Sequence, residues 1–178
     1  MIDEEPARSG GMVPGPMSSI RVVRRTPHGG CLCPVNDYQP SPSERVRDQV
    51  ARYEATAGAE GGTLEGKPVV ILTSTGARSG KTRKTPVIRI VKDGTYAAVA
   101  SAGGAPHDPG WYHNLVAHPI AELQDGTEHR TVRAREIHGV EKDRWWVVAE
   151  SFWPHFPAYR ANAGREIPMF LLEPLESP

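Results

Sequence analysis

The chain is short of cysteine, aromatic residues, net charge and long apolar runs, and each shortage excludes something. Its 178 residues contain 2 cysteines, too few for a disulfide framework. Cys31 and Cys33 are one residue apart, with His28 close by. That spacing makes neither a zinc knuckle nor an ordinary disulfide, and the pair reads as thiols without selected chemistry in a reducing compartment. Lys plus Arg and Asp plus Glu both total 21, so the chain lacks the basic excess of a general nucleic-acid binder. No apolar run approaches the roughly 20 residues that cross a bilayer, and the N-terminus lacks the apolar centre of a signal peptide. The expected location is therefore cytoplasmic. Length and a 38% hydrophobic content suit one domain with a substantial core.

Residues 1–42 read as a disordered Pro/Gly-rich tail. Pro6, Pro14, Pro16, Pro27, Pro34, Pro40 and Pro42 recur there without a periodic apolar pattern to offset the ordering entropy. The composition shifts near Val35, and a valine codon can start bacterial translation. Residues 1–34 are thus expected to lie outside the functional protein. The folded domain is expected over 43–174, opening with a helix from Ser43 to Gly58 that places Val46, Val50, Tyr53 and Ala57 on one face. That face is the segment expected to touch a bilayer peripherally, at the inner side of the cell membrane.

What the chain does have is one dense polar turn. From Thr73 to Pro86 it carries Arg78, Lys81, Arg83, Lys84 and six hydroxyls around Gly76 and Gly80, directly after an apolar run. Glycine frees the backbone to turn its N–H groups, hydroxyls add short donors, and the cations supply charge, so the turn reads as a cradle for an anionic cofactor. A nucleotide P-loop is excluded because its first glycine would stand at 75, which is Thr75, and because the following residues are β-formers interrupted by Pro86.

Six strands are expected: from Val69 into the cradle, Pro86 to Val91, Tyr96 to Ser101, Ile120 to Gln124, Glu128 to Ile137 and Ile167 to Leu172. Asp93-Gly94 and Asp125-Gly126 mark hairpins between them. Hairpin links with helices only in the connections predict a mainly β domain with flanking helices, an antiparallel barrel. One helical insertion follows Gly103-Gly104, with Asp108 as cap and Pro109 as first helical residue, and presents Trp111, Tyr112 and Asn114. A second starts near Glu141 and puts Trp145, Val148, Ala149 and Phe152 on one face, in the core. Trp153, Phe156 and Tyr159 lie past that face, beside prolines, and are expected to wall a cavity. The six- and five-residue gaps between His107, His113 and His118 do not share a face, so no metal site is expected.

Taken in order, Leu-Thr-Ser-Thr-Gly-Ala-Arg-Ser-Gly-Lys-Thr-Arg-Lys-Thr-Pro, Ala-Ser-Ala-Gly-Gly-Ala-Pro, Trp-Tyr-His-Asn-Leu and Arg-Glu-Ile-Pro resemble the deazaflavin (F420)-dependent nitroreductase family, in its quinone-reductase-like form. The resemblance covers roughly Pro40 to Pro174. It implies an FMN-binding split-barrel-like fold that binds reduced coenzyme F420 and passes a hydride to a small-molecule electron acceptor: a quinone, a nitro compound or an activated alkene. By position, it implies cofactor contacts from Arg78, Ser79, Arg83, Lys84, Thr85, Pro86, Val87, Ile88, Ala100, Ser101, Gly103, Trp111, Tyr112 and Asn114. Trp153, Phe156 and Tyr159 match the substrate wall, with Tyr159 the candidate to protonate or hydrogen-bond the acceptor. Three departures bear on those roles: Ala77 and Ala102 stand where relatives carry cations, and Phe156 where the nitroreductase type has tyrosine. An FMN-dependent split-barrel oxidoreductase and a non-catalytic cofactor- or lipid-binding barrel are the alternatives.

Overall fold

Alternation of side chains along each strand decides the architecture. In the computed structural model, which describes residues 37–175, eight strands and four α-helices follow one another. The strands are β1 (Thr63–Leu64), β2 (Lys67–Thr75), β3 (Thr82–Ile88), β4 (Ile90–Lys92), β5 (Thr95–Val99), β6 (Ile120–Asp125), β7 (Glu128–Glu136) and β8 (Met169–Pro174). The helices are α1 (Glu44–Thr56), α2 (Gly110–Ala117), α3 (Gly139–Phe152) and α4 (Phe156–Asn162). Every strand pairing is antiparallel. The sheet runs β2-β6-β7-β8-β5-β4, and β3, which pairs with β2, continues into β4 across the single residue Arg89. That change of partner bends one long segment around the sheet and closes it into the expected split barrel.

Val70 and Leu72 of β2, Tyr96 and Ala98 of β5, Leu123, Val132, Phe170 and Leu172 point into the barrel. The residues between them point out: Val69 and Ile71 meet Val50 and Tyr53 of α1, while Ala97, Met169 and Leu171 meet α3 and α4. The apolar run at 69–72 is continuous because β2 is buried on both faces. Each fully buried Leu or Ile there stabilises the fold by about 1.5–3 kcal/mol relative to exposure. Trp111 and Leu115 of α2 join the inner cluster, so this helix plugs the barrel.

Several elements differ from the sequence reading. The strand expected from Pro86 begins at Thr82, and Pro86 lies within it; among the described strands β3 pairs only with β2, the edge position where proline is accommodated. Asp108 does not cap α2. It forms an ion pair with Arg165, and Pro109 takes the cap position. On α3 the buried residues are Lys142, Trp146 and Ala149, so the inner face is rotated: Trp146 is buried, whereas Trp145, Val148 and Phe152 are only half-buried. The buried Lys142 ammonium bonds Glu166 at 2.6 Å and holds that carboxyl below its usual range. α4, read from the sequence only as a proline-broken continuation, is a separate short helix with proline in its first turn.

Of the expected tail, residues 1–36, with Cys31, Cys33 and the start suggested at Val35, lie outside the described residues. Residues 37–42 run beside β3, where Thr82 N–H donates to Asp37 C=O at 3.1 Å and Gln39 N–H to Thr82 C=O at 3.0 Å. Among the described residues no helix is long and apolar enough to cross a membrane.

Candidate functional site

Between β2 and β3 the chain turns on Gly76 and Gly80. Gly80 N–H donates to Gly76 C=O and Gly76 N–H to Lys81 C=O, both at 2.8 Å. Gly80 has φ 66°, and a Cβ on Gly76 would stand 2.6 Å from Ser79 Oγ, so neither position accepts a larger residue freely. Asn114 of α2 braces the turn: its Oδ1 accepts Ala77 N–H at 3.0 Å and its Nδ2 donates to Ser74 Oγ at 3.1 Å. The result is an open cavity of about 530 Å³ lined by Gly76, Ala77, Arg78, Ser79, Arg83, Gly110, His113 and Asn114. Arg83 is steadied by the carbonyls of Gln39 and Pro40, at 3.3 and 3.4 Å. Two guanidinium groups and a hydroxyl around a concave glycine turn suit a phosphate-bearing group.

A second cavity, of about 380 Å³, lies further along β3 and at the N-terminal end of α2, where Pro109 and Trp111 line it on either side of the Gly110 that lines the first. Its walls are mostly apolar: Leu64, Pro86, Val87, Ile88, Ile90, Val99, Trp111, Trp153 and Phe156. Ser101, Ala102 and Gly103 form one side, Tyr159 another, and Arg45 and Glu65 add charge. Trp153 and Phe156 are 3% and 2% exposed, so they fill the core between sheet and helices and wall the cavity at the same time. Phe156 packs edge-on against Trp146 with ring centroids 5.9 Å apart. Tyr159 is half-buried, and its ring stacks on His155.

The structure thus brings Arg78, Ser79, Arg83 and Asn114 to the first cavity and Pro86, Val87, Ile88, Ser101, Gly103, Trp111, Trp153, Phe156 and Tyr159 to the second. It does not bring the remaining expected residues to either. Lys84 alternates with Arg83 along β3 and so faces α1, where it pairs with Glu54 and lies 5.1 Å from the centre of the Tyr38 ring. Thr85 pairs with Leu72 in the barrel wall, and Ala100 is wholly buried. Tyr112 turns from the cavities to the other side of α2, its hydroxyl 3.5 Å from Glu136. Burial, and secondarily the Glu136 carboxylate, push its pKa up. Asn114 spends its amide on bracing the cradle, a strut where the sequence suggested a clasp on the cofactor.

Sequence reasoning assigned no role to Arg165, although it opens the Arg-Glu-Ile-Pro motif. Its guanidinium donates to the carbonyls of Ala100, Ala105 and His107 and pairs with Asp108, enclosing the glycine loop beside the second cavity. Arg45, Leu64 and Glu65 were also missed, because only the fold carries α1 and the β1–β2 turn to that cavity.

Residues 45–174 match the family described as F420H(2)-dependent quinone reductase. The chain is 33% identical over 132 residues to an F420H(2)-dependent quinone reductase of Mycobacterium tuberculosis, covering 72% of this chain and 87% of that protein. Among solved structures it is similar to an F420-H2 dependent reductase, with 42% identity, a TM-score of 0.57, and coverage of 60% of this chain and 94% of the other. A structure described as a domain-swapped dimer shares 39% identity and a TM-score of 0.59 over 75% of this chain and all of the other.

Proposed function

The chain belongs to the F420H(2)-dependent quinone reductase family, and from that premise we propose that it transfers a hydride from reduced coenzyme F420 to a quinone. The observation that carries the reading is the placement of two unlike cavities along β3 and the start of α2: an open cationic cradle and an aromatic-walled chamber. F420 has a phosphate-bearing chain and a flat ring, and the two cavities suit those parts in that order. Arg78, Ser79 and Arg83 hold the anionic end; Pro86, Val87, Ile88 and Trp111 hold the ring, and the Ser101–Gly103 loop lies where ring and acceptor meet. When bound, the coenzyme supplies two electrons as a hydride, so the protein needs no paired acid and base. Its own residues orient ring and acceptor and keep water out, the task of Trp153 and Phe156. Tyr159 is the catalytic residue of the proposal: its hydroxyl bonds or protonates the acceptor oxygen that gains negative charge.

Quinones are the acceptors the family supports, and nitro compounds and activated alkenes are further acceptors the apolar chamber could admit. Phe156 offers no hydroxyl to a nitro group, which favours the quinone. FMN, the other cofactor weighed, has no support from the family match. The reaction is placed in the cytoplasm, with α1 as the element for peripheral contact with a membrane that holds quinones. Titrating the purified protein with F420 and with FMN, followed by turnover with menadione, tests the proposal. Binding of F420 with menadione reduction is expected; binding of FMN alone, or binding without turnover, would overturn it.

A further inference from the structure

The loop after β5 has an unusual backbone. Ser101 is right-handed helical, with φ −73° and ψ −28°, and Ala102, Gly103 and Gly104 all have positive φ, at 48°, 68° and 84°. Alanine in that region is strained and persists only where its surroundings hold it. A right-handed residue followed by a left-handed one makes successive N–H groups converge, here those of Ser101, Ala102 and Gly103, and such a concavity receives negative charge. All three residues line the inner cavity. Among the described residues, no protein acceptor takes any of these three N–H groups. The loop is also pressed against α4, since a Cβ on Gly104 would lie 3.1 Å from Tyr159 Cα.

Arg165 holds this geometry from behind. Its Nη2 donates to Ala100 C=O at 3.0 Å and to His107 C=O at 2.9 Å, and its Nε donates to Ala105 C=O at 3.2 Å. Nη1 pairs with Asp108 at 2.7 Å, with the arginine side chain only 16% exposed. One planar fork therefore gathers the carbonyls at both ends of the loop, which a lysine ammonium could not span.

We propose that Arg165 is a positioning residue for the reaction: by drawing those carbonyls to itself, it keeps the N–H groups of Ser101, Ala102 and Gly103 set as a donor site for developing negative charge. This rests on the reading of the chain as an F420-dependent quinone reductase. In that reaction a C–H bond of the reduced coenzyme breaks, its electron pair and hydrogen pass to the quinone, and the charge gained falls on a quinone oxygen until a proton from Tyr159 or water completes the hydroquinone. Donors already in place cost no reorganisation at that moment.

The test is Arg165→Lys, compared with the unaltered protein. Three measurements are made: amide hydrogen exchange of residues 101–108 without cofactor, F420 affinity by titration, and kcat and KM for menadione. Expected are faster exchange in that loop with α1 unchanged, F420 affinity within about threefold, and kcat lowered at least about tenfold, since a donor that is misplaced costs less than the roughly hundredfold or more lost when one is removed. Adding guanidinium ion to Arg165→Ala is expected to restore part of kcat. The proposal is overturned if kcat holds, or if kcat, affinity and melting temperature fall together. Should Arg165→Lys fail to fold, Asp108→Asn, which removes only the ion pair, is expected to lower kcat about threefold with affinity kept; unchanged kcat there overturns the proposal. If the unaltered protein neither binds F420 nor reduces menadione, the functional reading fails instead, and loop exchange alone still reports whether Arg165 is the clamp.

Discussion

The two cavities are built by opposite means. The cradle takes its chemistry from one stretch of chain: its cations, hydroxyl and turn glycines lie within eight residues, Gly76 to Arg83, with Gly110, His113 and Asn114 of α2 closing the other side, and Arg78 and Ser79 are exposed. The inner chamber draws on α1, the β1–β2 turn, β3, β5, the glycine loop, α2 and α4, and its aromatic walls belong to the core. A site made of exposed charge can be altered without touching stability. A site made of core residues cannot, because the atoms that shape the cavity also hold sheet and helices together.

That contrast has consequences, beginning with the largest. Phe156→Ala should cost about 3–5 kcal/mol of stability, the usual range for deleting a buried aromatic, and denaturant unfolding measures it. A loss below about 1 kcal/mol would show that the chamber wall is separable from the core. Replacing Arg78 and Arg83 together by alanine should weaken F420 binding about a hundredfold at low salt, from two lost charge-assisted contacts, and less as salt rises. Thermal melting of that variant should stay within about 2 °C of the unaltered protein, since surface changes seldom exceed 0.5 kcal/mol. Unchanged affinity would remove the cradle from the site.

Smaller effects sharpen the boundary between the regions. Tyr159→Phe deletes one hydroxyl from a half-buried ring, so melting should hold while kcat/KM for menadione falls about tenfold, the scale of one lost hydrogen bond to the acceptor. A stability loss with kinetics intact would assign Tyr159 to the core. Lys84→Ala should change F420 affinity less than about twofold, because its ammonium is spent on Glu54 and Tyr38 on the α1 side. A tenfold loss would mean that Lys84 swings to the cofactor.

The cradle was legible because its chemistry is local. Gly76, Arg78, Ser79, Gly80 and Arg83 are close in sequence, and a turn between two apolar runs keeps them close in space. The same locality misled at Lys84, where strand alternation sends neighbouring side chains to opposite faces. Helix α3 shows the limit of periodicity: adjacent Trp145 and Trp146 both fit an apolar face, and only the packing against Phe156 selects Trp146. The proline-rich segment 153–157 was read as a continuation past the helical face, broken by its prolines, yet proline in the first turn is where a helix tolerates it, and α4 starts there.

Composition and pattern were enough to determine a mainly β domain, its hairpins at Asp93-Gly94 and Asp125-Gly126, the cationic glycine turn between β2 and β3 and, through ordered motifs, the family. Those properties depend on residues near one another along the chain. The tertiary structure alone decided that β3 and β4 change partners at Arg89 to close the barrel, that Lys84 turns away, and that Arg165 reaches back more than fifty residues to hold the loop at Ser101–Asp108. Each is a contact between distant segments, selected by packing and by the need of buried carbonyls for donors, which no local pattern records.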